Sequence, residues 1–181
     1  SVIDLNVCYN LSKDRKVGIS KGGKNQLEIK EVFGFESFWN EILIPNLAQK
    51  HQAKPVHSLE EITKLKALFP DNIRQFNVYE KGVLVAGTTI FEAANVAHSQ
   101  YISGKEEKNE LGGLDLLHYH LLTEVYKEKK FFDFGISNEE QGRNLNKGLS
   151  YWKESFGAST IVHDFYEVET INFTKLENIL K

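Results

Sequence analysis

Methionine is missing from all 181 residues, and cysteine occurs once, at Cys8. One cysteine excludes an internal disulfide and a thiolate zinc site. It fits a reducing compartment, so the cytoplasm is the expected location. The missing methionine leads to the expectation that the natural chain extends upstream of Ser1. No apolar run approaches the ~20 residues that a membrane span needs. Neither sign of charge dominates: 22 Lys and Arg stand against 25 Asp and Glu, for a net charge of -3. No overall basic field therefore recruits nucleic acid. Internal repeats and low-complexity runs are also absent.

What is present is an ordinary core composition, 41% hydrophobic and 12% aromatic. At this length it can fill one domain, expected over residues 1–181. "VIDLNVCYNL" alternates apolar and polar and reads as a strand. "SKDRKVGISKGGK" reads as a loop, and "LEIKEV" as a short strand. Phe35 to Ala53 has a helical face of Phe35, Phe38, Trp39, Ile42 and Leu43, kinked or restarted at Pro45, which has no N–H to donate. Ser58-Leu59-Glu60-Glu61 is a capping box that opens a further helix through Leu68. "IRQFNVY" and "VLVAGTTIFE" flank Glu80-Lys81-Gly82 as a hairpin, and "VAHSQYIS" follows as a strand. After the loop "GKEEKNELGG", Leu114, Leu117, Leu121 and Val125 mark a helix. "FFDFGIS" is a buried strand, Asn144 to Phe156 a helix, and "STIVHDFYEV" a long final strand. The order ββααβββαβαβ is that of an α/β protein with a mixed sheet: an antiparallel meander, then a βαβ unit with a right-handed crossover.

Three stretches carry candidate chemistry. "KNELGG" precedes a helix, whose first N–H groups carry partial positive charge, and Gly112 and Gly113 would let a phosphate approach the backbone. The same glycines serve equally as a flexible turn, and Glu110 would repel a pyrophosphate. "GISNEEQGRNLNKGLSYWKESFG" leaves the carboxyl end of a strand in a βαβ unit, where open sheets bind ligands. Asp133, Ser137, Asn138, Glu140, Arg143, Asn144 and Asn146 crowd that point, and they also suit a solvated loop. "SKDRKVGISKGGK" offers cationic and glycine positions for a local phosphate contact. The six histidines give no metal spacing: His118 and His120 stand two apart, on different faces of a helix, so no metal is expected.

Around "FFDFGISNEEQGRNLNKGLSYWKESFGASTIVHDFYEV" the chain resembles the Fem-like branch of the GNAT acyltransferase superfamily. "DRKVGISKGGKNQLEI", "FPDNIRQFNVYEKGVLVAGTTIFE" and "VAHSQYIS" extend the resemblance to nearly all of the chain after Leu11. It implies the GNAT acyl-CoA N-acyltransferase fold and transfer of an acyl or aminoacyl group to an amine. Fem-type peptidyltransferases of bacteria carry two GNAT domains and use aminoacyl-tRNA to lengthen cell-wall precursor peptides. This chain is similar to the second domain only, which implies a missing N-terminal GNAT domain or a homodimer. Coenzyme A users of the superfamily place Arg or Gln, two residues, Gly, one residue, then Gly or Ala before the central helix. Here Asn109, Glu110, Leu111, Gly112, Gly113 and Leu114 hold that place, so the first and last positions depart from the pattern. The donor is left open between acyl-CoA and aminoacyl-tRNA.

In the Fem-type enzymes an aromatic-Lys pair at the end of this helix lies in the reaction site, and Trp152-Lys153 matches it. Lys153 would then stabilise the oxyanion of the attacked ester or thioester, with its ammonium facing the cleft between "VAHSQYIS" and "FFDFGIS" and its side chain at most partly buried. Trp152 would hold the lysine or stack on a base. Tyr101, Ser103, Asp133 and Asn138 are expected acceptor contacts, with Ser137, Arg143 and Asn146 nearby. Without the resemblance, Lys153 reads as a surface lysine near a helix end. A non-catalytic module, holding a peptide or sugar for a partner domain, is the alternative.

Overall fold

The computed structural model of the protein describes residues 1–178. A six-stranded sheet runs in the order β1-β6-β5-β4-β3-β2. Its strands are β1 (Val2–Asp4), β2 (Glu28–Val32), β3 (Ile73–Glu80), β4 (Val83–Glu92), β5 (Val96–Gly104) and β6 (Phe131–Asp133). Neighbours are antiparallel except β5 and β6, which are parallel. The hairpin falls where the sequence places it. Lys81 and Gly82 have φ of 49° and 81°, the left-handed pair that a two-residue turn between twisted strands demands.

Helices cover both faces. On one face lie α1 (Lys13–Lys24), α5 (Gly113–His120) and α6 (Lys147–Glu154), around a core that includes Phe76, Val85, Leu117, Phe132 and Phe156. On the other lie α2 (Glu36–Phe38), α3 (Ile44–His51) and α4 (Leu59–Leu68), around Phe35, Phe38, Trp39, Ile42 and Ile62. Each such side chain contributes roughly 1.5–3 kcal/mol by leaving water. Between α2 and α3 the helix widens into a π turn over Trp39–Leu43, closed by the Ile44 N–H donating to the Trp39 carbonyl. It comes just before Pro45 and absorbs the donor which that proline lacks. The capping box at Ser58 forms as expected: Glu61 N–H donates to Ser58 Oγ and Ser58 N–H to Glu61 Oε2.

Three sequence expectations are corrected. "SKDRKVGISKGGK" is the helix α1, not a loop. Ser12 caps it, accepting from the Arg15 N–H, and its glycines serve packing: a Cβ on Gly22 would lie 2.7 Å from Leu116 Cβ, and one on Gly112 only 2.1 Å from the Gly18 carbonyl oxygen. "VIDLNVCYNL" is a strand for three residues only. "STIVHDFYEV" forms no strand, and its one ladder contact is an antiparallel bridge between Ser159 and Val2. The loop "GKEEKNELGG" contains a 3-10 turn over Glu106–Leu111. A two-stranded ribbon, β7 (Asn138–Glu139) with β8 (Asn144–Leu145), stands between β6 and α6.

Candidate functional site

The parallel pair β5–β6 is short. Val96, Ala97 and His98 register with Phe131, Phe132 and Asp133, and there the pairing stops. β5 continues to Gly104, while the chain turns away from β6 through Gly135, whose φ is 74°. The result is a split in the sheet with α5 starting beside it. One residue of β5, Gln100, is a bulge between Ser99, paired with Ile90, and Tyr101, paired with Thr89. The bulge reverses the facing of the strand. Ala97 and Ser99 look toward α5, whereas Tyr101 and Ser103 look toward α2 and α3.

A cavity of about 410 Å³ lies on the α5 side of the split. Val85, Ala86, Ile102 and Gly104 form its floor, Gly112, Gly113, Leu114 and Asp115 its end at the start of α5, and Leu149 and Trp152 of α6 one wall. Arg15, Lys108 and Asn109 close it. No side chain caps the N-terminus of α5, so its first N–H groups are not satisfied by a cap. A second hollow of about 250 Å³ shares Arg15, Asn109, Gly112 and Asp115 with the first. Its rim carries Lys13, Arg15 and Lys21 but also Asp14, Glu110 and Asp115, so the charges balance.

Asp115 organises the wall. It accepts from the Arg15 guanidinium and, at 3.0 Å, from the Trp152 indole N–H. Arg15 also lies over the Phe156 ring, 5.7 Å from its centroid, and its buried Nε has no protein partner. Behind Trp152, His118 is fully buried between Phe132, Phe134 and Phe156. Its Nδ1 is 2.8 Å from the Leu114 carbonyl, which requires the proton on that nitrogen, and burial lowers its pKa to about 4.

Trp152, Gly112 and Gly113 therefore line one cavity. Lys153 points elsewhere. It is 2% exposed, not partly exposed as expected, and its ammonium donates to the carbonyls of Ile136 at 2.5 Å and Gly135 at 3.2 Å. That places the charge against the chain just past the last β5–β6 pair. Burial lowers its pKa to about 8, partly offset by Asp133. Asp133 itself accepts from His98 Nδ1 at 2.8 Å and from the Gly135 N–H at 2.8 Å. Its own pKa is lowered: burial raises it, but the His98 and Gly135 bonds and nearby positive charge outweigh that.

The other expected contacts are dispersed. Tyr101 is buried in the opposite core, with its hydroxyl bonded to His57, and Ser103 accepts from Asn46 at 2.8 Å on that same side. Ser137 is buried with an unpartnered Oγ, and its carbonyl accepts from the Asn146 N–H. Asn138 is exposed and donates to the Gly142 carbonyl, Arg143 is exposed on the ribbon, and Asn146 caps α6 through the Leu149 N–H. Two cavity residues escape a reading of the sequence alone. Arg15 is hidden in a helix taken for a loop; the signal was Ser12 ahead of glycines four residues apart. Asp115 is a lone acidic residue in an apolar helix start. Among the described residues no cluster of His, Cys, Asp or Glu could hold a metal ion, and no helix is long and apolar enough to cross a membrane.

No family model and no curated protein matches the sequence. Solved structures do match in fold. FemX superposes with a TM-score of 0.67 at 9% identity, over 86% of this chain and 57% of FemX. The C-terminal domain of a putative lysylphosphatidylglycerol synthetase from Agrobacterium fabrum gives 0.59 at 11% identity, over 86% of this chain and 55% of that one. An aminoglycoside acetyltransferase from an uncultured soil metagenomic sample, solved with sisomicin, gives 0.52 at 17% identity, over 81% and 99%. The chain thus spans little more than half the length of the first two. The chain has the GNAT fold, related to that of FemX.

Proposed function

We propose that the chain is the GNAT domain of a transferase that moves an acyl or aminoacyl group onto an amine. The observation that carries this reading is the cavity of about 410 Å³ between the split in the sheet and the uncapped start of α5. The donor, an acyl-CoA or an aminoacyl-tRNA, brings phosphate toward the α5 N–H groups and Arg15, and lays its acyl arm along Ile102 and Gly104. A base or adenine ring stacks on Trp152. The amine attacks the ester or thioester carbon directly. A C–N bond forms, the C–O or C–S bond breaks, and the leaving hydroxyl or thiol takes the amine's proton. Two of the three N–H groups of Lys153 are bound to Gly135 and Ile136. The third serves as oxyanion donor in this reading only where the acyl carbon reaches beyond the cavity to the end of the β5–β6 pairing, where the ammonium is held by the other two bonds. His98 and Asp133 lie at the same split, on the acceptor side.

The likeness to FemX makes the amine of a bacterial cell-wall precursor the first acceptor to test, with a second GNAT domain preceding this one. Both donor classes place the reaction in the cytoplasm. A non-catalytic binding module is favoured by one observation, the burial of Lys153 against two carbonyls, which also suits a purely structural clamp. Thermal shift with coenzyme A, acetyl-CoA, a non-hydrolysable aminoacyl-RNA hairpin and a UDP-linked muropeptide separates these readings. Stabilisation by a donor supports transfer and identifies its class. Stabilisation by the muropeptide alone supports the Fem-like acceptor, and stabilisation by none of the four supports the module.

A further inference from the structure

The parallel pairing ends on two polar side chains. His98 and Asp133 are the last pair in register, and their neighbours Ala97 and Phe132 belong to the α5-side core. By the two-residue period His98 and Asp133 therefore share the opposite face, beside the split. Both keep access to solvent, with side-chain exposures of 32% and 23%. Asp133 Oδ1 accepts from the Gly135 N–H at 2.8 Å and has the Ser1 nitrogen 3.8 Å away. Oδ2 is left for His98 Nδ1, at 2.8 Å. An ionised carboxylate cannot donate, so the ring carries a proton on Nδ1. The other ring nitrogen, Nε2, lies 3.1 Å from Gln100 Oε1. On a neutral ring this sets a lone pair against a carbonyl oxygen, two acceptors with no hydrogen between them. The contact is relieved by a proton on Nε2, by turning the Gln100 amide over, or by an N–H brought from outside. Gln100 is free to give way: it is the bulged residue of β5, with no partner in β4, and β6 has already turned aside.

We infer that the His98–Asp133 pair is a subsite for a primary amine, whose N–H takes the place of Gln100 at His98 Nε2. That the amine is the acceptor's rests on the transfer reading above; the site itself can be tested without a donor. The imidazole adjoins the residue that Lys153 binds. A Cβ on Gly135 would lie 3.4 Å from His98 Cε1, and the Gly135 carbonyl accepts from the Lys153 ammonium at 3.2 Å. Two other imidazoles are worse placed. His118 is sealed in the α5-side core, and His57 is bonded through Nδ1 to the Tyr101 hydroxyl in the opposite core. An ammonium must lose a proton before its nitrogen has a lone pair for attack. The N–H bond directed at Nε2 is the one that breaks, and its electron pair stays with the amine. The ring becomes an imidazolium, balanced by the Asp133 carboxylate. The amine's second proton leaves with the hydroxyl or thiol. Asp133 is the positioning residue, because its bond to Nδ1 fixes the tautomer that leaves Nε2 free to accept.

The test follows the histidine ring nitrogens of the 181-residue chain by NMR at fixed neutral pH, with His98 assigned through His98→Gln. n-Propylamine is titrated in. Tetramethylammonium, which carries the charge without an N–H, is the control. Propylamine should move the His98 Nε2 signal saturably and leave the His118 signals in place. Tetramethylammonium should move neither. Asp133→Asn should weaken propylamine binding by about tenfold or more, the loss expected when a charged hydrogen-bonding partner is removed. Unmoved His118 signals show that this variant keeps its core. Gln100→Ala, which vacates Nε2, should bind propylamine at least as tightly as the unmodified chain. A His98 signal that ignores propylamine overturns the inference. So does an equal response to tetramethylammonium, or an unchanged affinity in Asp133→Asn. The thermal-shift panel keeps the two readings apart. Stabilisation by a donor with a silent His98 leaves transfer standing without this subsite. A responsive His98 with no donor effect leaves the subsite standing without transfer.

Discussion

The two tryptophans divide the molecule. Trp39 is fully buried, makes edge-to-face contacts with Phe35, Phe38 and Tyr101, and donates its indole N–H to the His57 carbonyl at 3.2 Å. Trp152 packs as densely on one side, against His118, Phe134 and Phe156, but its other side lines the cavity and its N–H is held by the Asp115 carboxylate. A backbone carbonyl cannot be tuned by substitution, and a carboxylate can. The face of the sheet under Trp39 is built for closure. The face under Trp152 keeps charged groups at the edge of a space, which costs stability and is maintained where something else occupies that space.

The largest effect should come from Trp39→Ala, which opens a closed aromatic cluster. A loss of about 3–5 kcal/mol is expected, the usual range for a buried aromatic cut to Ala. Denaturant melts would show it as a lowered midpoint. Trp152→Ala should lose less, because one side of that ring already faces open space. Equal losses would break the comparison.

Lys153→Met comes next and tests both roles of that residue. Removing the ammonium leaves the Gly135 and Ile136 carbonyls without their donor, at a cost of about 1–3 kcal/mol. If Lys153 also binds the oxyanion, turnover on an identified donor and acceptor should fall by about a hundredfold or more, with little change in KM. In the unmodified protein the same role makes turnover decline as pH rises through about 8, because the buried ammonium then loses its proton. A stability loss with normal turnover reduces Lys153 to a clamp.

His118→Phe separates the two faces by pH. His118 is neutral in the fold, with a pKa of about 4 against an ordinary 6.5. Between those values the unfolded chain binds a proton that the folded chain refuses. Stability is therefore complete above about 6.5 and is lost as pH falls toward 4. In the Phe variant this stretch of the pH-stability curve should flatten. An unchanged slope would assign it to other groups.

How legible each face was follows from the same division. The hairpin around Lys81-Gly82, the capping box at Ser58 and the helical face of Trp39 are local patterns, and each could be read from neighbouring residues. α1 could not, because Gly18 and Gly22 are required by contact with Asp115 and Leu116, nearly a hundred residues away. The bulge at Gln100 was equally invisible, since simple alternation puts Tyr101 on the face of Ser99. The final strand was misjudged for a third reason: its residues do favour a strand, but a strand needs a neighbour, and only Ser159 has one. Trp152 was singled out through the resemblance and lines the cavity, whereas Asp115, which holds its N–H, and Arg15, which pairs with Asp115, were brought together by tertiary packing.

Asp115→Asn should have the smallest effect and the most informative sign. The amide keeps the size of the side chain and an oxygen for the Trp152 N–H. It removes the negative charge that partners Arg15, whose side chain is largely buried. Arg15 would then present an uncompensated guanidinium to the cavity. A phosphate-bearing ligand should gain from this, so the affinity for coenzyme A, measured by calorimetry, should rise a few-fold in Asp115→Asn. Asp115→Ala, which also frees the indole, should lose that gain because the stacking wall is no longer fixed. If Asn instead weakens coenzyme A binding, the carboxylate itself contacts the ligand. The cavity wall would then be a direct recognition surface, and not a support for Trp152 and Arg15.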